Sequence, residues 1–152
     1  MRATYMPNLL TIGCWNIQEI YEKVNDIKIC EIDEDVFINT VEKFDILCIQ
    51  ETHTASDNLF AEIKGFQAIP HCRKVSSNNR YFGGFMVLVR NTIRKGVNIL
   101  DTDDKDIFEI KLQKDFFGLQ YDIKILFTYA SPINSPYIAS RTENVLEKWK
   151  KC

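Results

Sequence analysis

Leu9 to Asn16 is apolar and β-prone and gives way to a polar stretch, a pattern that predicts a first strand. From Asp33 to Phe44 the apolar residues Val36, Phe37, Val41 and Phe44 recur at helical spacing, with Asp33 or Asp35 as the N-cap. Phe44-Asp45-Ile46-Leu47-Cys48-Ile49 is a nearly continuous apolar run, the form taken by a strand covered on both faces. Phe66 to Ile69 is a weaker strand signal. Gly83-Gly84-Phe85-Met86-Val87-Leu88-Val89 is a strong one, entered through a turn after Ser76-Ser77-Asn78-Asn79.

Antiparallel sheet is expected next. Ile107, Glu109 and Lys111 alternate with Phe108, Ile110 and Leu112, and Gly118 lies in the connection to a second strand, Asp122 to Tyr129. A Pro-containing loop, Ser131 to Pro136, leads to a helix opened by the capping box Ser140-Arg141-Thr142-Glu143, with Val145, Leu146 and Trp149 as its apolar face. Strand, helix, strand, several strands and helix, in that order, describe an α/β layered architecture. The chain ends inside or just after the last helix, so a domain over residues 9–152, preceded by a tail over residues 1–8, is expected to be partial at its C-terminus.

Composition changes this picture little. A chain of 152 residues with 45% hydrophobic and 26% charged positions can bury one core and is not a disordered linker. The net charge of -2 lacks the basic surplus that a nonspecific nucleic-acid binder uses against phosphates, so phosphate chemistry must come from a local site or from metal ions. Five cysteines without a C-x-x-C pair argue against a zinc site or disulfide framework, and Cys14 and Cys48, in apolar runs, are expected to be small buried hydrophobes. No apolar run is long enough to span a membrane, and Met1 to Pro7 lacks the core of a signal peptide, so an intracellular setting is expected.

Candidate chemistry sits at strand ends, where loops converge on a rigid base. Gly13-Cys14-Trp15-Asn16 ends on an amide, and Cys48-Ile49-Gln50-Glu51-Thr52-His53 ends on a carboxylate suited to a divalent cation. Phe127-Thr128-Tyr129-Ala130-Ser131-Pro132 ends on a tyrosine able to donate to a phosphate oxygen. Each feature is common by itself; their order is not.

Trp15-Asn16-Ile17, then Asp45 to His53, then Gly83 to Asn91, then a strand into Tyr129-Ala130-Ser131-Pro132 resembles the endonuclease/exonuclease/phosphatase superfamily. The Gln50-Glu51-Thr52-His53 stretch is most similar to the endonuclease domain of non-LTR retrotransposons, and the resemblance runs from about Leu9 to Trp149. It implies the N-terminal half of a four-layer α/β sandwich that hydrolyses DNA phosphodiester bonds with Mg²⁺ (or Mn²⁺). By the same resemblance Asn16 and Tyr129 are catalytic, Glu51 with Asn16 holds the metal, and His53 supports the site. From the residues alone, His53 is equally a partly exposed loop histidine.

The sequence departs from the family pattern in one large respect: it contains neither Gly-Asp-x-Asn, whose Asp orients the attacking water, nor Ser-Asp-His. His53 and His71 come too early for the terminal histidine, Gln18 stands where some members have Asp, and Pro132 where some have a phosphate-contacting Asn. The chain is therefore expected to be inactive alone; a non-catalytic relic or a binding half-domain is the alternative. An ordinary flavodoxin-like module is disfavoured by the lack of a Gly-rich phosphate loop after the first strand. A half of this fold is also expected to leave one sheet face uncovered at Val87, Val89, Ile110 and Ile125 or their neighbours, inviting self-association.

Overall fold

The computed structural model of the chain describes residues 9–17, 21–24, 27–30, 34–53, 63–71, 76–77, 80–81, 83–100, 102–104 and 106–130. The expected tail over residues 1–8, the Asp33 cap, the Ser131 to Pro136 loop and the last helix lie outside these residues. The elements are β1 (Ile12–Asn16), β2 (Tyr21–Val24), β3 (Ile27–Cys30), α1 (Glu34–Val41), β4 (Ile46–Gln50), β5 (Phe66–His71), β6 (Ser76–Ser77) and β7 (Arg80–Tyr81). They continue with β8 (Phe85–Arg90), a 3₁₀ turn at Arg94–Gly96, β9 (Val97–Leu100), β10 (Ile107–Leu112), α2 (Lys114–Phe117) and β11 (Ile123–Thr128).

A mixed α/β fold results. A four-stranded sheet has the order β1-β4-β8-β5, a three-stranded sheet the order β11-β10-β9, and β2-β3 and β6-β7 form small two-stranded pairs. β1 runs parallel to β4, as the α1 crossover requires, and the remaining pairings of both larger sheets are antiparallel.

The continuous apolar runs at β4 and β8 have a direct cause: both faces of the four-stranded sheet are covered. Leu47, Ile49, Met86 and Leu88 point to the side of α1 and pack with Phe37, Val41, Ile63 and Phe66. Ile46, Cys48, Phe85, Val87 and Val89 point the other way and pack with Val97, Phe108, Ile110, Leu112 and Phe127 of the second sheet. Each fully buried aliphatic side chain contributes about 1.5–3 kcal/mol, so these two seams hold the layers together.

Two expectations are corrected at this level. Val87, Val89 and Ile110 are fully buried and Ile125 is partly so, because β9, β10 and β11 fold back as a second sheet over the face expected to be bare. The chain covers that face itself, and those residues offer no surface for self-association. Val36, placed on the helix's inner face by its spacing, is 55% exposed, whereas Phe37 and Val41, four residues apart, form the buried stripe.

The second sheet follows its alternation. Phe108, Ile110 and Leu112 face the core; Glu109 and Lys111 face outward, where Glu109 is paired with Lys124 across the strands. Before β11, the single turn of α2 stops at Gly118, whose φ of 66° is the left-handed geometry that glycine adopts without strain.

Among the described residues, no helix is long and apolar enough to cross a membrane.

Candidate functional site

The register brings one end of six strands together. β1 and β4 finish side by side, with Asn16 opposite Gln50. β8 begins there, with Phe85 opposite both Gln50 and His71, the last residue of β5. In the second sheet, Ile107 at the start of β10 lies opposite Thr128 at the end of β11. Asn16, Glu51 and Tyr129, read separately from the sequence, each stand at or one residue beyond a strand end on this rim.

Three contacts tie the rim across the sheets. Gln50 Nε2 donates to the Thr128 carbonyl at 3.0 Å, joining β4 to β11. The Tyr129 hydroxyl donates to Glu51 Oε1, a bond between residues 78 apart in sequence. His71 Nε2 donates to the Asp104 carbonyl at 3.1 Å, and its ring packs edge-on against Phe108 with centroids 5.5 Å apart.

The backbone after β4 is unusual. Glu51 and His53 have φ of 56° and 50°, left-handed values that side chains other than glycine rarely adopt. The loop is held by its neighbours: the His53 amide donates to the Gly83 carbonyl at 3.0 Å, and Gly83 and Gly84, with φ of 70° and 88°, let that strand approach closely. Strained residues of this kind persist where surrounding structure over-determines them, and they concentrate at functional sites. Between them, Thr52 is 1% exposed, and its Oγ1 has no hydrogen-bond partner among the described residues.

Asn16 is exposed, while Glu51, His53 and Tyr129 are half-buried. The four are thus reachable from solvent yet backed by packed strands, with Tyr129 seated against the inter-sheet core. Tyr129 contacts Glu51 rather than standing free, a pairing that the sequence reading did not contain. It also missed His71, which the strand carries to the rim because β5 extends two residues beyond the expected Ile69, through Pro70.

The donor set is oxygen-rich and suits a hard cation. Glu51 has one carboxylate oxygen engaged by Tyr129 and a second for a metal, and Asn16 presents an amide on the adjacent strand end. Mg²⁺ binds through one or two carboxylates while keeping most of its waters, so this set fits it. Among the described residues no group of three or more His, Cys, Asp and Glu is arranged to enclose an ion.

Cys14 differs from expectation. It is exposed, whereas Cys48, its register partner on β4, is fully buried. The reason is position: Cys14 faces the same side as Cys48 but lies on the outermost strand of the sheet. The Cys48 thiol donates to the Cys14 sulfur and holds the Cys14 thiol down at about 7, while burial pushes the Cys48 thiol up.

No family model matches the chain, and no curated protein matches it.

Proposed function

We propose that residues 9–152 form the N-terminal half of an endonuclease/exonuclease/phosphatase-type domain, most like that of non-LTR retrotransposons, acting on DNA phosphodiester bonds. The observation that carries this reading is the convergence of Asn16, Glu51 and Tyr129 on one rim, with Tyr129 bonded to Glu51 across the sheets. The paired sheets with α1 outside agree with half of a four-layer sandwich. The strained Glu51–His53 loop adds weight, because left-handed backbone at residues other than glycine costs on the order of 1–3 kcal/mol each and such strain concentrates at functional sites.

In this reading Glu51, with Asn16, would hold Mg²⁺ or Mn²⁺, and the ion would supply charge neutralisation for phosphodiester chemistry. Tyr129 orients the Glu51 carboxylate through its hydroxyl and lies within reach of a phosphate brought to the rim. Asn16, exposed beside them, donates its amide N–H groups to a phosphate oxygen. His53 supports the loop that carries Glu51. Nothing on the chain supplies the water-orienting Asp or the phosphate-contacting His of the resembled family, since Gly-Asp-x-Asn and Ser-Asp-His are lacking.

Purified residues 1–152 should accordingly show no nicking of supercoiled plasmid in Mg²⁺ above background, because an oriented base alone is worth about 10²–10⁴ in rate. Co-expression with the C-terminal half of a related non-LTR endonuclease should restore nicking, and Glu51→Gln should remove it. Robust nicking by the chain alone, abolished by Asn16→Ala, would overturn the division of labour proposed here.

A further inference from the structure

Cys14 and Cys48 are register partners on adjacent parallel strands and point to the same face, one sulfur open to solvent and the other fully buried. Neighbouring strands run about 4.7–4.9 Å apart, inside the range of about 4.4–6.8 Å that Cα atoms span in disulfides. We propose that this pair is a peroxide-sensitive dithiol, in which Cys14 is the site of oxidation and Cys48 the resolving thiol that closes a cross-strand disulfide.

The steps balance. Hydrogen peroxide transfers an oxygen atom to the Cys14 sulfur: its O–O bond breaks, water leaves, and Cys14 becomes a sulfenic acid. The Cys48 sulfur then attacks the Cys14 sulfur, the S–O bond breaks, and the departing hydroxide takes the Cys48 proton as water. The thiols lose two electrons in total and the peroxide gains them.

The division of labour follows from exposure. Peroxide reaches Cys14 on the outermost strand, whereas Cys48, packed between Ile46, Phe85, Val87 and the second sheet, meets no oxidant except through Cys14. A link between directly paired strands is held by sheet geometry rather than by its own preferred dihedral, and strained or exposed disulfides are the readily reduced ones. The bond would lie two residues before Asn16 on one strand and three before Glu51 on the other, and would couple oxidation to the rim.

The test uses the full chain with Cys30→Ser, Cys72→Ser and Cys152→Ser, treated with hydrogen peroxide and mapped by peptide mass spectrometry. The expected product is a linked Cys14–Cys48 peptide pair, separated again by dithiothreitol. In a further Cys48→Ala variant, Cys14 should accumulate dimedone-reactive sulfenic acid to about ten times the parent level, because its resolving thiol is gone. Equal sulfenic acid in parent and variant, with Cys48 still open to alkylation after unfolding, would overturn the proposal, as would a Cys14 that peroxide does not oxidise. Neither arm uses nuclease activity or metal, so failure here and failure of the proposed function are separate results.

Discussion

Glu51 and His53 show how much of the site lies in single residues. Their left-handed φ values of 56° and 50° turn the chain sharply at the end of β4, so that a half-buried carboxylate meets Tyr129. The carboxylate was legible as a polar residue ending an apolar run. The turn was not, because positive φ is normally signalled by Gly or Asn, and here Gly83 and Gly84 carry that signal on the strand opposite. Between the two strained residues, the buried Thr52 hydroxyl has no partner among the described residues. An unsatisfied buried hydroxyl costs about 1–3 kcal/mol, and an apolar group of the same shape removes that cost. Thr52→Val should therefore raise folding stability by about 1 kcal/mol in urea unfolding. A loss of similar size would mean that the hydroxyl has a partner in the folded chain. Cys14 gives the opposite lesson: its apolar neighbours suggested burial, but only the sheet order puts it on an outer strand.

At the scale of elements, the end of the sheet opposite the rim is clamped by Asp45. Its Oδ2 accepts from the Thr11 amide and hydroxyl at 3.0 and 2.9 Å, and its Oδ1 accepts from Arg90 Nε at 3.1 Å. Arg90 also donates to the Glu42 and Phe44 carbonyls, each at 2.9 Å, and its guanidinium lies over the Phe66 ring. One carboxylate thus links the chain entering β1, the start of β4 and the end of β8. Asp45→Ala would leave a partly buried guanidinium and the Thr11 donors without it, at a cost of about 2–4 kcal/mol. A loss below about 0.5 kcal/mol, the range of an ordinary surface site, would show that the clamp contributes little. The long apolar runs of β4 and β8 and the alternation of β10 were readable because their burial imprints a pattern. By contrast, β9 has four residues and α2 a single turn, too short for any period to register. Sheet pairing and the Gly118 stop define them instead, and the β2–β3 hairpin likewise sits in a stretch read only as polar.

Across the whole molecule, the two larger sheets share one core, and the covered face replaces the bare one that a half-fold suggested. Ile110, fully buried between the sheets, should cost about 2–5 kcal/mol on truncation to Ala, whereas Leu126, 37% exposed on the outer face of β11, should cost under about 1 kcal/mol. Similar losses at both positions would mean that the outer face is covered in solution. The layered α/β class was legible because strands buried on both faces demand layers above and below. The stacking of the second sheet on the first was not, since alternation in β10 fixes which residues are apolar but not what they meet. This stacking also makes the rim, by setting the ends of β10 and β11 above those of β1 and β4. In the proposed reading Glu51, with Asn16, would hold a hard cation at this rim, with Tyr129 beside it. The most direct test of that reading is paramagnetic broadening of the amide NMR spectrum by substoichiometric Mn²⁺. Selective loss of the Asn16, Glu51 and Tyr129 amide signals and those of their neighbours is expected, reversed by excess Mg²⁺ and absent in Glu51→Gln. Uniform broadening, or the same selective pattern in Glu51→Gln, would contradict it.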